Sequence, residues 1–419
     1  MNRAITSGGF IFLLLFSSLL YAESRELELK SGDDIEIPIT IYTADSPLRM
    51  LWLPAESGIK TADHEQARAL AALGIEVWVV DLHAAHFLPT TQSSMDKMDG
   101  ALVKQVIDAA SRDSKKVVLF SPGRGAIPLL RGLKRWHKTA TTAIPSVILL
   151  HPKLYRPGVE PGKPAELMPI VAQTNASLYI IQPKLSPWFW RIKATVASFE
   201  SANSDVFIES IADVRDRFYF RPDAVVYEAK KARQLAKILF RAAYRLMFIN
   251  KQRQYRHGPE VFTRIKEGKS DRSLKNYAGN QVPPVLRLHD MNNRLHNIAD
   301  YRGKVVLVNF WASWCPPCVH EMPSMQRLYE SHSRDDFEIL AVNMAEPRAE
   351  ISAFLKSKVA VTFPVLLDTN GDTLKSWKVF AFPSSYVLDR QGKIIYGVYG
   401  GVDWMSADIE QKIAKLLAE

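Results

Sequence analysis

Only two cysteines occur in the 419 residues, Cys315 and Cys318, set three positions apart in Trp311-Ala312-Ser313-Trp314-Cys315-Pro316-Pro317-Cys318. Thiol–disulfide exchange needs an accessible thiolate that attacks and a second thiol that resolves the mixed disulfide. This spacing supplies both where the first cysteine opens a helix. A helix N-terminus carries unpaired N–H groups and the positive end of the dipole, so it favours a Cys315 thiolate. Two intervening residues place Cys318 one turn further on, within disulfide reach. Pro316 and Pro317 suit a first turn, whose amides lack intrahelical partners in any case. Cys315 is therefore expected as the exposed nucleophile and Cys318 as the more buried resolver, with no cofactor. The competing chemistry is half of a zinc site. Structural zinc takes four protein ligands, yet there is no second cysteine pair and only His320 flanks the motif, so no metal is expected.

The elements that must hold this motif can be read around it. Residues 305–310 form an apolar run broken only by Asn309, suited to a buried central strand. A helix is expected from the motif to about Tyr329. Strands at 338–343, 364–367, 384–389 and 394–398 and helices at 348–356 and 406–417 follow. Before the motif, 285–288 and 295–298 read as a hairpin. A late hairpin packed between helices points to a mixed sheet.

The stretch from Gly303 to Cys318, with Glu321-Met322-Pro323 after it, resembles the TlpA-like branch of thioredoxin-fold thiol–disulfide oxidoreductases, over residues 281–419. The resemblance implies client protein disulfides or thiols as substrates and a membrane redox partner that regenerates the reduced form. It tilts the expected direction towards reduction. Phe382-Pro383 resembles the family's cis-proline segment, which faces the disulfide and presents backbone to an extended substrate. Ala381 stands where the family often has glycine. Glu321 resembles the site-adjacent glutamate; sharing a helix face with Cys318, it would tune a thiol or relay a proton. Thioredoxin itself carries a buried Asp where this chain has Asn309. Trp314, Pro316, Pro317 and Phe382 are assigned to the substrate groove, and Cys315, Cys318, Glu321 and Pro383 to catalysis. A peroxidase of the same fold would place threonine three positions before its reactive cysteine, where Ala312 stands.

Upstream, candidate strands at 35–41, 48–53, 75–81, 116–120, 147–150, 178–182 and 205–209 alternate with helices near 64–73, 98–110, 125–136, 165–172 and 187–201. A long helix follows over 223–248. That alternation predicts a mostly parallel sheet covered on both faces, in an α/β class for the whole chain. Ser121-Pro122-Gly123-Arg124-Gly125 after the strand at 116–120 resembles the nucleophile elbow of α/β-hydrolases, G-x-S-x-G between strand and helix. Aligning the final glycine puts Gly123, which has no side chain to attack with, at the nucleophile position. His151 comes too early for the family's base, and no convincing acid follows residue 182. The N-terminal part, 23–249, is expected to be α/β-hydrolase-like and non-catalytic, a recognition or docking module. An active esterase and a binding protein with secondary redox activity are the alternatives. A glycine turn with Arg124 could also cradle an anion.

The remaining signals concern place. Residues 1–22 read as a signal peptide, with Arg3, an apolar core over 10–20 and Ala22 before the cleavage point, which sends the chain to the periplasm. That core is shorter than the ~20 residues that span a bilayer, so membrane association is not predicted. Residues 250–280 turn polar and basic and read as a linker. The net charge of +10 comes with no zinc-finger, RNA-binding or P-loop pattern, so nucleic acid is not an expected partner.

Overall fold

The computed structural model describes residues 24–31, 35–139, 145–158, 160–163, 165–248, 273–379 and 381–419. The expected signal peptide and residues 250–272 of the expected linker lie outside them.

Eight strands build the first sheet: β1 (Ser24–Lys30), β2 (Glu36–Tyr42), β3 (Leu48–Trp52), β4 (Glu76–Val80), β5 (Lys116–Pro122), β6 (Ser146–Leu150), β7 (Ser177–Leu185) and β8 (Asp205–Arg215). Their order is β1-β2-β4-β3-β5-β6-β7-β8. The two pairings of β2 are antiparallel, and the rest, from β4 to β8, are parallel. Successive side chains of a strand point to opposite faces. Leu51, Leu119 and Leu149 thus pack on one side with Leu102, Leu129 and Phe199. Trp52, Phe120 and Ile148 pack on the other with Leu70, Leu235 and Leu239. Helices therefore cover both faces, as the alternation of elements required.

Three local expectations differ from the structure. No α-helix forms over 165–172. Arg156 N donates to Glu166 O and Met168 N to Leu154 O, both at 2.7 Å, an extended pairing that Pro169 favours by disallowing helix at Met168. The long helix over 223–248 is two, Val226–Ala232 and Leu235–Met247. Gln66 holds the break, its Nε2 donating to Ala232 O and its Oε1 accepting from Ala236 N. Finally, β1 lies outside the expected strands, because an edge strand that faces mainly solvent carries little apolar pattern.

The second sheet contains β9 (Lys275–Asn276), β12 (Val305–Trp311), β13 (Phe337–Met344), β14 (Val365–Asp368), β15 (Ser384–Leu388) and β16 (Ile394–Tyr399); β10 (Arg287–His289) and β11 (Leu295–Asn297) form a separate hairpin. The order is β14-β13-β12-β15-β16-β9, with β14, β13 and β12 parallel and the other pairings antiparallel. This is the mixed sheet expected. Strand β9 lies inside the stretch read as linker. The central β12 sends Val305, Leu307 and Trp311 into one core and Val306, Val308 and Phe310 into the other. Its carboxyl end is where the cysteines stand.

Candidate active site around Cys315 and Cys318

Strand β12 ends at Trp311, and the helix Pro316–Glu330 begins five residues later with Pro316 and Pro317 in its first turn. Cys315 is the N-cap. Its Sγ accepts from Cys318 N at 3.4 Å, so the first turn of the helix points an amide at this sulfur. Cys315 and Cys318 are joined as a disulfide with their Cα atoms 5.3 Å apart. Cys315, expected to be exposed, is buried with 5% of its surface in solvent, because the chain from Trp314 and the helix start close around its sulfur; Cys318 is the more buried, as expected, with none, and Pro316 and Pro317 are exposed.

One turn beyond Cys318, Glu321 is buried. Its Oε1 accepts from Asn309 Nδ2 (2.8 Å) and its Oε2 from Val402 N (3.2 Å). Burial pushes the carboxyl up to about 8, against the opposing pull of those hydrogen bonds. No cation compensates it within this network. Asn309 Nδ2 also donates to Ser385 Oγ at 2.9 Å, which ties the carboxyl to β15. An amide here can serve either protonation state: Nδ2 donates to a carboxylate, and Oδ1, once the amide is turned over, accepts from an acid.

The bond Phe382–Pro383 is cis. Pro383 is buried just before β15, and its carbonyl accepts from Gly400 N at 2.8 Å. The rings of Phe382 and Trp314 meet edge to face at 5.8 Å. Trp314 and Phe382 are each part-buried against both cores of this domain. The turn that carries Ser313 is anchored from below by Glu346, which accepts from Ser313 N (2.8 Å), from Ser313 Oγ and from Asn343 Nδ2 (2.7 Å). Burial also raises the Glu346 carboxyl.

The structure thus brings Cys315, Cys318 and Glu321 onto one helix start, with Trp314 and Phe382 in ring contact. Glu346, Ser385 and the pairing of Asn309 with Glu321 escape a reading of the sequence. Their partners lie 33, 76 and 12 positions away. The nearest signal is Asn309, a lone amide in an apolar strand.

At the turn after β5, Gly123 takes φ +59°, the left-handed conformation that favours glycine. A Cβ there would stand 2.5 Å from Glu56 Oε2. The Glu56 carboxylate accepts from Arg124 N (3.0 Å) and pairs with Lys153 Nζ (2.6 Å). Burial alone would raise this carboxyl, but Lys153 and the Arg124 amide hold it down at about 2. The space that a side chain at residue 123 would need is therefore filled by an ion pair. The Arg124 guanidinium is spent on Asp96 (2.7 and 2.8 Å) and on the carbonyls of Lys153 and Tyr155, which removes it from any anion cradle. His151 is buried beside Gly123, and burial lowers it to about 4.

Residues 277–413 match the family model described as Redoxin. The thiol-disulfide oxidoreductase ResA of Geobacillus thermodenitrificans (strain NG80-2) is 39% identical over 111 residues, covering 26% of this chain and 63% of that protein. The thiol-disulfide oxidoreductase ResA of Geobacillus kaustophilus (strain HTA426) is 34% identical over 133 residues, 32% of this chain and 75% of that protein. The chain therefore spans under two thirds of the first relative and three quarters of the second. Among solved structures, StoA from Bacillus subtilis shares 27% identity, covering 33% of this chain and 99% of that one, with a TM-score of 0.28.

Proposed function

Because the chain belongs, through residues 277–413, to the redoxin family of thiol–disulfide oxidoreductases, we propose that the protein reduces protein disulfides in the periplasm. The observation that carries this reading is the Cys315–Cys318 disulfide at a helix start, with the buried Glu321 one turn behind it. In the reduced form the Cys315 thiolate attacks one sulfur of a client disulfide. A mixed disulfide forms and the other client sulfur leaves as thiolate. Glu321, as carboxylate, takes the Cys318 proton, directly or through one water. Cys318 then attacks Sγ of Cys315, closes the intramolecular disulfide and releases the second client thiol. Two electrons have passed to the client, and a membrane redox partner supplies two more that reopen the Cys315–Cys318 disulfide.

Trp314, Phe382 and Pro383 line the groove for the client's extended chain, with Pro316 and Pro317 at its exposed rim. The N-terminal residues 23–249 form an α/β-hydrolase-like domain without hydrolase activity. The strand order with an antiparallel β2 supports the first half of that statement. The Glu56–Lys153 pair under Gly123 supports the second. Residues 1–22 direct export, and the part of 250–280 that precedes β9 links the domains, since Lys275 and Asn276 already pair with β16.

A Cys318→Ser variant expressed in the periplasm should hold clients as mixed disulfides on Cys315, identifiable by mass spectrometry. A folded variant that captures nothing refutes the exchange mechanism. The potential against glutathione decides direction: a value as oxidising as about −120 mV, that of a strong protein oxidant, excludes the reductase.

A further inference from the structure

The layers of the first sheet meet the redox fold along a seam that reaches the residue before Cys315. Pro161 O accepts from Ala278 N (3.0 Å), and Gly162 N donates to the Tyr399 hydroxyl (3.3 Å). Lys375 Nζ sits 4.6 Å over the Trp190 ring, and Arg191 Nη2 donates to Lys378 O (3.0 Å). Trp190 and Trp314 pack against the same core, around Phe310 and Tyr386. At the end of β8, Arg215 Nη1 donates to the carbonyl oxygen of Trp314 at 3.5 Å.

A guanidinium carries five N–H donors in a rigid fork, and in Arg215 each has an acceptor. Nε donates to Glu228 Oε1 (2.8 Å), Nη2 to Glu228 Oε2 (2.5 Å) and to Asp223 O (2.8 Å), and Nη1 to Asp223 Oδ2 (3.0 Å). The fifth goes to Trp314 O. Arg215 and Glu228 are both buried. Four donors thus fix the fork within the first domain, and the remaining one leaves it.

The Trp314 carbonyl belongs to the peptide unit whose N–H, on Cys315, donates to Ala312 O at 3.1 Å. One residue earlier, Ser313 N donates to Glu346 (2.8 Å). The turn between β12 and its helix is therefore held from inside the redox fold at Ser313 and from the first domain at Trp314. What this turn fixes is the place of Cys315 Sγ, which accepts from Cys318 N (3.4 Å) as the cap of the helix. A hydrogen bond on a peptide oxygen also strengthens donation by the N–H of the same unit, so the Arg215 bond tightens the closure of Cys315 on Ala312.

We propose that Arg215 is a positioning residue for the redox centre, setting through Trp314 O the turn that presents Cys315 Sγ to the helix start. The inference rests on the exchange mechanism proposed above. The helix amide stabilises a Cys315 thiolate only as well as that turn is held, so the first domain forms part of the frame of the nucleophile. The titratable groups around the turn are Glu346 under Ser313, Glu321 and His320 on the helix that it opens, and the Asp223 and Glu228 carboxylates that orient Arg215.

The test uses the full-length reduced protein with Cys318→Ser, which leaves Cys315 as the one thiol, and the aromatic disulfide dithiodipyridine. The Cys315 thiolate attacks one sulfur of the probe, a mixed disulfide forms, and the other sulfur leaves as the pyridine thiol, whose absorbance follows the step. The rate is read from pH 5 to pH 9. Two variants remove the bond to Trp314 O in opposite ways. Arg215→Lys keeps the charge, but an ammonium has only three donors and two carboxylates to take them first. Arg215→Met combined with Glu228→Gln removes both charges and leaves no buried carboxylate unpaired. Each should slow the reaction at pH 6 by about two- to ten-fold, the range of one hydrogen bond, move the midpoint of the profile upward and approach the parent rate at high pH. Lys375→Ala, which gives up a different contact across the seam, should leave the profile unchanged. Profiles of the Arg215 variants that superimpose on the parent, or a slowing equal at every pH, overturn the proposal. So does a Lys375→Ala profile displaced as far as theirs. If neither Arg215 variant melts cooperatively, Arg215 serves the fold alone and the proposal also fails. A parent protein that does not react with the probe refutes instead the exchange mechanism.

Discussion

Replacing Glu321 by Gln tests the most exacting claim about the redox centre. The carboxyl is raised from 4.5 to about 8 by burial, a difference on the order of 5 kcal/mol between its two protonation states. Between those values the folded protein holds a proton that the unfolded chain has released. Raising the pH through that window therefore removes stability. Oxidised wild type should lose part of that amount from pH 5 to pH 9, read as a falling Tm of the redox domain by calorimetry on the full chain. The amide of Glu321→Gln cannot ionise, so the slope should flatten and the variant should be the more stable at pH 9. Catalysis gives the second reading. At pH 7 only about one molecule in ten carries the carboxylate. A positioned base contributes typically 10²–10⁴-fold, so resolution by Cys318 should slow by roughly 10- to 10³-fold at pH 7. The rise in wild-type resolution rate centred near pH 8 should disappear. Single-turnover release of a client thiol from the Cys315 mixed disulfide measures this step alone. Parallel stability profiles together with superimposable pH–rate curves would refute both the buried acid and its role.

His151 is lowered from 6.5 to about 4 by burial, so the stability it contributes is complete above pH 6.5 and is lost as the pH falls towards 4; His151→Asn, which tolerates the positive φ of 40°, should flatten that acid limb in calorimetry. Glu346→Ala leaves the Ser313 amide without its buried acceptor and should cost about 1–3 kcal/mol and slow exchange, whereas Glu346→Gln should restore most of both. Gly123→Ser pushes a side chain against Glu56 and should destabilise the first domain by about 1–3 kcal/mol without creating hydrolysis of acyl esters, measured with a chromogenic ester and both cysteines replaced.

The parts of this molecule that are legible in sequence are those governed by neighbours along the chain. The apolar run before Cys315 reads as a buried strand because a central strand must be apolar on both faces, and Cys315-Pro316-Pro317-Cys318 reads as a helix start because the first turn is where proline costs no hydrogen bond; Pro323, inside the same helix, is the exception to that rule. The lack of a nucleophilic side chain at residue 123 is equally visible, since glycine has none. What stands beside it is not: Glu56 and Lys153 are 97 positions apart, and no local pattern links them. The same holds for Asn309 with Ser385 and for Ser313 with Glu346, where the pairing exists only once the sheet has been assembled. The expectation of a helix over 165–172 fails for a related reason. Composition favours it, while Pro169 and the backbone of Leu154 and Arg156 impose an extended path.

Among the described residues, the seam between the first sheet's layers and the redox fold is partly apolar: Trp190 packs against the core that holds Phe310 and Tyr386. Two glycines of the redox fold are fitted to that seam. A Cβ at Gly371 would stand 2.6 Å from the Trp190 ring, and one at Gly397 2.7 Å from Pro161 Cβ. Alanine at either position would have to push the neighbouring part of the chain away. The redox fold is thus shaped at these two points for a neighbour that lies outside it in sequence.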